Sequence, residues 1–308
     1  MQEGWISGGG FGDSARVAEP GIDLLTDLLK QVSRSFYLTL RVLPRAVRPQ
    51  ISLAYLLART TDTIADTEIL PVEQRLAVLA RVRGRFLGLD DGALNFSQLA
   101  QHQGSPAERI LLERVEESLA LLRTLNAEDL VLVRKVLATI ASGQELDLKR
   151  FDGASADHIV ALEADRDLDD YTFRVAGCVG EFWTRTCWRQ LVDPRELPDL
   201  PTADFMIELG VRFGKGLQLV NILRDLPRDL RQGRCYIPAQ RLARAGLRPE
   251  DLLQPQNLAK FRPVYDSLLD EAEAHLAAGW LYTNELPTHQ WRLRFACALP
   301  VLIGVRTI

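Results

Sequence analysis

An all-α, single-domain bundle around a central cavity is the fold this 308-residue sequence predicts, and three observations predict it. Apolar residues recur at helical spacing, as in Ile51, Ala54, Tyr55 and Ala58, and again in Leu76, Leu79, Val82 and Phe86. No segment shows the sustained alternation of a half-buried strand, so no convincing strand is expected. No central stretch has the Pro, Gly and Ser enrichment of a linker, so residues 21–308 read as one domain despite the length.

Residues 1–20, with Gly8, Gly9, Gly10 and Gly12, read as a flexible lead-in, and order is expected from about Ile22. Helix breaks are then expected at Pro44, Pro49, Pro71, 88–92, 104–106, Gly153, 193–201, Gly233 and Pro238. A composition of 47% hydrophobic and 25% charged residues supports a packed core. The net charge of −4 argues against a dedicated nucleic-acid partner. Cys178, Cys187, Cys235 and Cys297 show no metal-ligand spacing and read as reduced, mostly buried thiols. The N-terminus lacks the basic and apolar regions of a signal peptide, so a cytoplasmic protein is expected. The uncharged run Phe295 to Val305 is too short to span a bilayer and leaves membrane association of the C-terminal segment open.

Two constellations carry chemistry. Asp62 and Asp66 stand one helical turn apart on a face extended by Tyr55 and Arg59. Two such carboxylates can bridge a hard cation such as Mg²⁺, which favours few carboxylates plus water and phosphate oxygens. A solvated helix face explains that pair equally well. Asn221, Asp225 and Asp229 form a second stripe at i, i+4 and i+8, with Gln218 one turn earlier, beside the apolar Leu219, Val220, Ile222 and Leu223. That setting favours a cavity wall, and Pro227 is expected to bend or end the helix close to Asp229. A capped helix C-terminus would explain Arg228 and Arg231 but disfavours the two aspartates.

The run from Asn221 to Pro238 resembles the second aspartate motif of the squalene and phytoene synthases, the head-to-head isoprenyl diphosphate synthases. Asp62 to Asp66 resembles their first. Ser33-Arg34-Ser35-Phe36, the stretch from Tyr171 to Gly180, and Cys297-Ala298-Leu299-Pro300 match further motifs in the same order. The resemblance implies an isoprenoid-synthase helical bundle in which Mg²⁺, or Mn²⁺ in its place, is held by Asp62, Asp66, Asn221, Asp225 and Asp229. It implies substrate contacts from Ser33, Arg34, Ser35, Phe36, Arg59, Gln218, Asn221, Arg224 and Arg234, where arginine forks suit phosphate oxygens. Surface ion pairs for the arginines and helix caps for the serines are the alternatives. Arg59 and Tyr171 are the implied catalytic groups, the phenol taking or returning a proton. Gly143, Gln144 and Asp147 resemble a cavity-lining stretch of lesser weight. Gly177 and Gly180 give up helix propensity where a prenyl chain or another helix passes close.

The implied substrate is farnesyl diphosphate, two molecules per turnover. The runs SRSF, GCVGEFW and CALP are closer to squalene synthases than to phytoene synthases, which implies presqualene diphosphate as intermediate and NADPH as reductant. Phytoene or dehydrosqualene synthesis without a reductant is the alternative, and a non-catalytic helical lipid-binding or scaffold protein is the alternative of another class. A monomer or weak homodimer, with peripheral membrane contact for an apolar product, completes the expectation. His102, His158, His275 and His289 match no ligand spacing. Glu163, Asp165, Asp167, Asp169 and Asp170 read as a helix entry and not as a calcium loop.

Overall fold

A computed structural model of the chain describes residues 23–33, 36–193, 195 and 200–308. The lead-in 1–20, and with it the expected onset of order near Ile22, lies outside these residues, as do Arg34 and Ser35. A π-helical turn, Leu24–Leu28, leads into α1 (Leu29–Ser33), α2 (Phe36–Val42), α3 (Arg48–Asp66) and α4 (Val72–Leu87). Then come α5 (Ser97–Gln101), α6 (Pro106–Glu113), α7 (Val115–Arg123) and α8 (Ala127–Arg150). After β1 (Val160–Ala161), α9 (Asp165–Thr172) runs through a π turn at Phe173–Gly177 into α10 (Cys178–Leu191). Next are α11 (Ala203–Arg231), β2 (Arg234–Cys235), α12 (Ala239–Arg244), α13 (Leu258–Glu285) and α14 (Trp291–Thr307).

The prolines act as N-terminal starters as often as breakers. Pro49 and Pro106 sit in the first turns of α3 and α6, where a missing N–H costs nothing. Pro227 lies inside α11, which continues past it and ends at Arg231, close to Asp229 as expected. A proline at 227 leaves the carbonyl of Leu223 without its helical donor. The Tyr265 hydroxyl, from α13, donates to that oxygen at 3.4 Å and relieves the loss.

The expectation of no strand is also corrected. β1 and β2 pair in parallel, Val160 beside Arg234 and Ala161 beside Cys235. Gly233, at φ 81°, makes the turn out of α11 that brings β2 into register, and its carbonyl accepts from the Val160 N–H at 2.8 Å. A two-residue pair leaves no periodicity to read in sequence.

Two apolar clusters make the core. One gathers α1 to α8 with α10 and α14; the other gathers α9, α11, α12 and α13 with the strand pair. All four cysteines are free and buried within them. Asp129, buried at the start of α8, accepts from Gln50 of α3 at 3.0 Å and pairs with Arg189 of α10, which locks three helices of the first cluster. Helices α10 and α11 cross at near backbone contact: a Cβ on Gly180 would overlap the Gly210 carbonyl, and one on Gly214 the Ala176 carbonyl. It is therefore a helix that passes close to Gly180.

Gly180→Ala should cost at least about 2 kcal/mol, because the obstacle is backbone and cannot rotate away. Gly104→Ala, which meets nothing within 4 Å, should stay within about 0.5 kcal/mol of wild type. Paired urea melts measure both; equal midpoints would contradict the tight crossing.

Candidate active site

A polar cavity of about 540 Å³ opens at the seam between the two clusters. Helix α3 brings Tyr55, Asp62 and Asp66 to it, α8 brings Gln144 and Asp147, and α9 ends with Tyr171 on its wall. From the other side α11 contributes Gln218, Asn221, Asp225, Arg228 and Asp229, and the strand after it Arg234 and Tyr236. Helical spacing explains each set, since residues three and four apart share a face.

The predicted residues divide in three ways. Phe36, Asp62, Asp66, Tyr171, Gln218, Asn221, Asp225, Asp229 and Arg234 line the cavity. Arg59 stands at its edge, bonded to Glu108 at 2.6 Å and 3.9 Å from Asp62. Ser33 is buried and donates to the Leu29 carbonyl of its own helix at 2.5 Å. Arg224 is an exposed residue on another surface pocket; its guanidinium forks onto Asp225 at 2.8 and 2.7 Å. Asn221 donates to Gln218 at 3.5 Å.

Gathering carboxylates in one cavity raises their pKa. Burial, then Asp66, push Asp62 up to about 6 against the opposing pull of Arg59 and Gln144. The Asp62 side chain keeps 44% of its surface accessible, but that surface faces the cavity, where protein surrounds the carboxylate. Burial also lifts Asp66, opposed by Arg234 and Arg59, and carries Asp229 to about 6, with Asp225 adding to the rise. Asp225 goes the other way, lowered by the Arg224 fork.

Four neighbours of the site complete it. Gln144, weighted lightly in sequence, donates to Asp62. Asp147 accepts from the Tyr236 hydroxyl at 2.9 Å, lies 4.0 Å from Arg234, and is pushed up to about 6 mainly by burial. The Tyr236 ring stacks on Tyr171 with centroids 4.7 Å apart. Burial, reinforced by Asp147, holds the Tyr171 phenol well above its usual range, so it stays protonated. Tyr236 and Arg228 were missed as site residues. For Tyr236 the available signal was its place two residues after Arg234, because alternate residues of an extended segment share a side.

The donor set suits a divalent cation brought with a diphosphate. Among the described residues no three His, Cys, Asp or Glu side chains converge into an all-protein cation site. Buried Gln144 Oε1 and Asp147 Oδ1 lack hydrogen-bond partners, and several of the carboxylates resist ionisation without added positive charge. Mg²⁺ prefers such a setting, with water and phosphate oxygens filling its shell. A second, apolar pocket of about 160 Å³ shares Phe36, Val175, Ala176 and Val179 with the polar one and runs on to Trp183, Phe213 and Tyr282.

One end of this paired space suits an anionic head and the other an apolar tail, as a class of proteins acting on prenyl diphosphates requires. The chain belongs to the squalene/phytoene synthase family, whose profile matches residues 29–308. Members join isoprenyl diphosphates head to head as prenyltransferases. The chain is 33% identical over 253 residues to a presqualene diphosphate synthase of Rhodopseudomonas palustris, covering 82% of this chain and 75% of that one. It is 24% identical over 282 residues to a squalene synthase of Schizosaccharomyces pombe, covering 91% of this chain and 57% of the other. Against a bifunctional lycopene cyclase/phytoene synthase of Colletotrichum graminicola it is 28% identical over 259 residues, covering 83% of this chain and 41% of that protein. The solved structure of a squalene synthase from Alicyclobacillus acidocaldarius shares the fold at TM-score 0.63 and 19% identity, with 92% of this chain and 89% of that one covered.

Two outcomes follow from the raised carboxylates. Between about pH 4 and 6 the folded, metal-free protein holds more protons on Asp62, Asp147 and Asp229 than the unfolded chain does. Their contribution to stability is therefore lost as pH rises through that window, and Mg²⁺ with pyrophosphate should raise the melting temperature more at pH 7.5 than at pH 5. Asp62→Asn should flatten this dependence and leave the metal-free protein at least as stable at pH 7.5. A wild-type Mg²⁺ effect equal at both pH values would contradict the assignment.

Proposed function

We propose that this chain condenses two molecules of farnesyl diphosphate head to head into presqualene diphosphate. The observation that carries the reading is the single space in which aspartates of α3 and α11 line one end and an uncharged pocket the other. Mg²⁺ or Mn²⁺, held through Asp62, Asp66, Asp225 and Asp229 with Asn221 as a further oxygen donor, would neutralise the charge of the departing diphosphate. Arg234 and Arg228 line the same end and suit phosphate oxygens as fixed cations. Arg59, held by Glu108, keeps a positive charge beside Asp62.

When diphosphate leaves C1 of one substrate, the allylic cation is attacked by the C2–C3 double bond of the other, and closure of the cyclopropane releases one proton. Products are presqualene diphosphate, pyrophosphate and that proton. Taking or returning it is assigned to the hydroxyl of Tyr171, a role supported by that residue's position on the wall of the polar cavity. Phe36, Val175, Ala176 and Val179 exclude water from the cation.

Complete conversion to squalene is the second reading, supported by Cys297 and Pro300 of the CALP run on the apolar pocket wall. It needs a hydride from NADPH. No charged side chain among the described residues lines that pocket to hold dinucleotide phosphates, so no step is assigned to the reductant.

Product analysis with farnesyl diphosphate and Mg²⁺, with and without NADPH, tests the reading. Presqualene diphosphate should accumulate without NADPH; squalene on adding it would establish the second reading, and dehydrosqualene as the sole lipid, unchanged by NADPH, would overturn both. Asp62→Asn and Asp225→Asn should each retain less than a tenth of wild-type turnover at saturating Mg²⁺, a rise of more than about 1.4 kcal/mol in the barrier. Tyr171→Phe should slow formation of the cyclopropane product by about 10²- to 10⁴-fold with little change in substrate affinity. Normal product at a normal rate would remove Tyr171 from the mechanism.

A further inference from the structure

Helix α14 is apolar on both sides. Leu293, Ala296, Cys297, Val301 and Gly304 are buried. On the opposite side Trp291, Phe295 and Leu302 are 60%, 51% and 56% exposed, and their spacing puts them on one stripe. A helix with apolar residues on both sides calls for a cover on both, and the described chain covers one. Neighbouring elements continue the exposure: α2, which packs on α14, leaves Leu38 open, and the end of α13 leaves Trp280 and Leu281.

Among the described residues of α2 and α14 the charge has one sign. Neither α2 nor α14 contains an Asp or Glu, and the nearest carboxylate on α13 is Glu285 in its last turn. Arg41, Arg45 and Arg292 form no ion pair with a carboxylate among the described residues. Arg292 lies over the Trp291 ring at 5.3 Å. Arg48 stands near enough to Arg292 and Arg45 that, after burial, their like charges lower its pKa. On a chain of net charge −4 this is a local reversal that an anionic surface would neutralise.

The geometry points to a docking surface for an anionic lipid bilayer on the exposed sides of α14 and α2. Trp291, Phe295 and Leu302 enter the boundary between headgroups and acyl chains, and Arg41, Arg45 and Arg292 meet lipid phosphates. The chain lies on the bilayer through this face: among the described residues no helix is long and apolar enough to cross one. The same two helices wall the apolar pocket from outside, through Phe36 and Thr39 of α2 and Ala296, Cys297 and Pro300 of α14. The docked pose therefore sets that pocket one helix away from lipid, a short exit for an apolar prenyl product. The exit rests on the function proposed above, whereas the docking rests on the surface alone.

Co-sedimentation of the full chain with vesicles tests the docking. Binding to phosphatidylcholine vesicles containing phosphatidylglycerol should exceed binding to pure phosphatidylcholine by at least about ten-fold and fall sharply near 0.5 M salt. The pair Phe295→Ser with Leu302→Ser, and separately Arg45→Glu with Arg292→Glu, should each lower the bound fraction by at least about ten-fold. Thermal melting and the rate of diphosphate release from soluble farnesyl diphosphate should stay at wild type in both, because none of the four residues lines a substrate pocket. Absence of binding to the anionic vesicles, or binding that both double variants retain, overturns the proposal. So does a lipid-free dimer that the serine pair dissociates without any vesicle binding, which assigns the face to a second copy. Vesicle binding without diphosphate release refutes the proposed reaction and upholds the docking.

Discussion

Burial of carboxylates in one cavity is the constraint on which the rest of this structure depends. Asp62 and Asp66 come from one helix, Asp225 and Asp229 from another, and all line one cavity. Buried there without cations, Asp62 and Asp229 are pushed up to about 6 and Asp66 is raised, whereas Asp225, which has its own arginine, is lowered. Arg59, Arg228 and Arg234 offset part of the charge, and Arg59 is itself tied by Glu108 and Arg234 by Asp147. What is left unneutralised is a site suited to a divalent cation that arrives with a dianionic head group.

That electrostatic arrangement needs rigid walls, because a cavity that collapsed would bury the charges without a partner. The walls come from close helix contacts and polar locks. Glycines at the α10–α11 crossing let backbones touch, and Asp129 ties α3, α8 and α10 together. Tyr265 compensates the carbonyl freed by Pro227, and α11 stays helical through Asp229 and carries its three oxygen side chains to the cavity. The strand pair does the same for the other rim, holding Arg234 and Tyr236 beside Asp147.

The helical class and the two aspartate stripes were legible because each depends on spacing within one element. The serine at 33 illustrates the limit of such reading. Its hydroxyl has a carbonyl of its own helix within reach, and the local bond decides its direction. Arg224 is similar: it sits in the middle of a motif, yet its helix position turns it outward onto Asp225. Gln144 and Asp147 carried little weight in sequence, since their partners Asp62 and Tyr236 lie 82 and 89 residues away.

By itself the sequence determined the helical class and which face of α3 and of α11 carries carboxylates. These follow from periodicities of 3.6 residues and from side-chain chemistry, both of which are local. Only the tertiary structure decided that the two carboxylate faces share one cavity, that Tyr236 stacks on Tyr171, that α11 packs against Gly180 at the wall of the apolar pocket, and that the polar cavity adjoins that pocket. Those are distances between segments far apart in the chain, set by which apolar faces pack together, and no spacing along the chain encodes them.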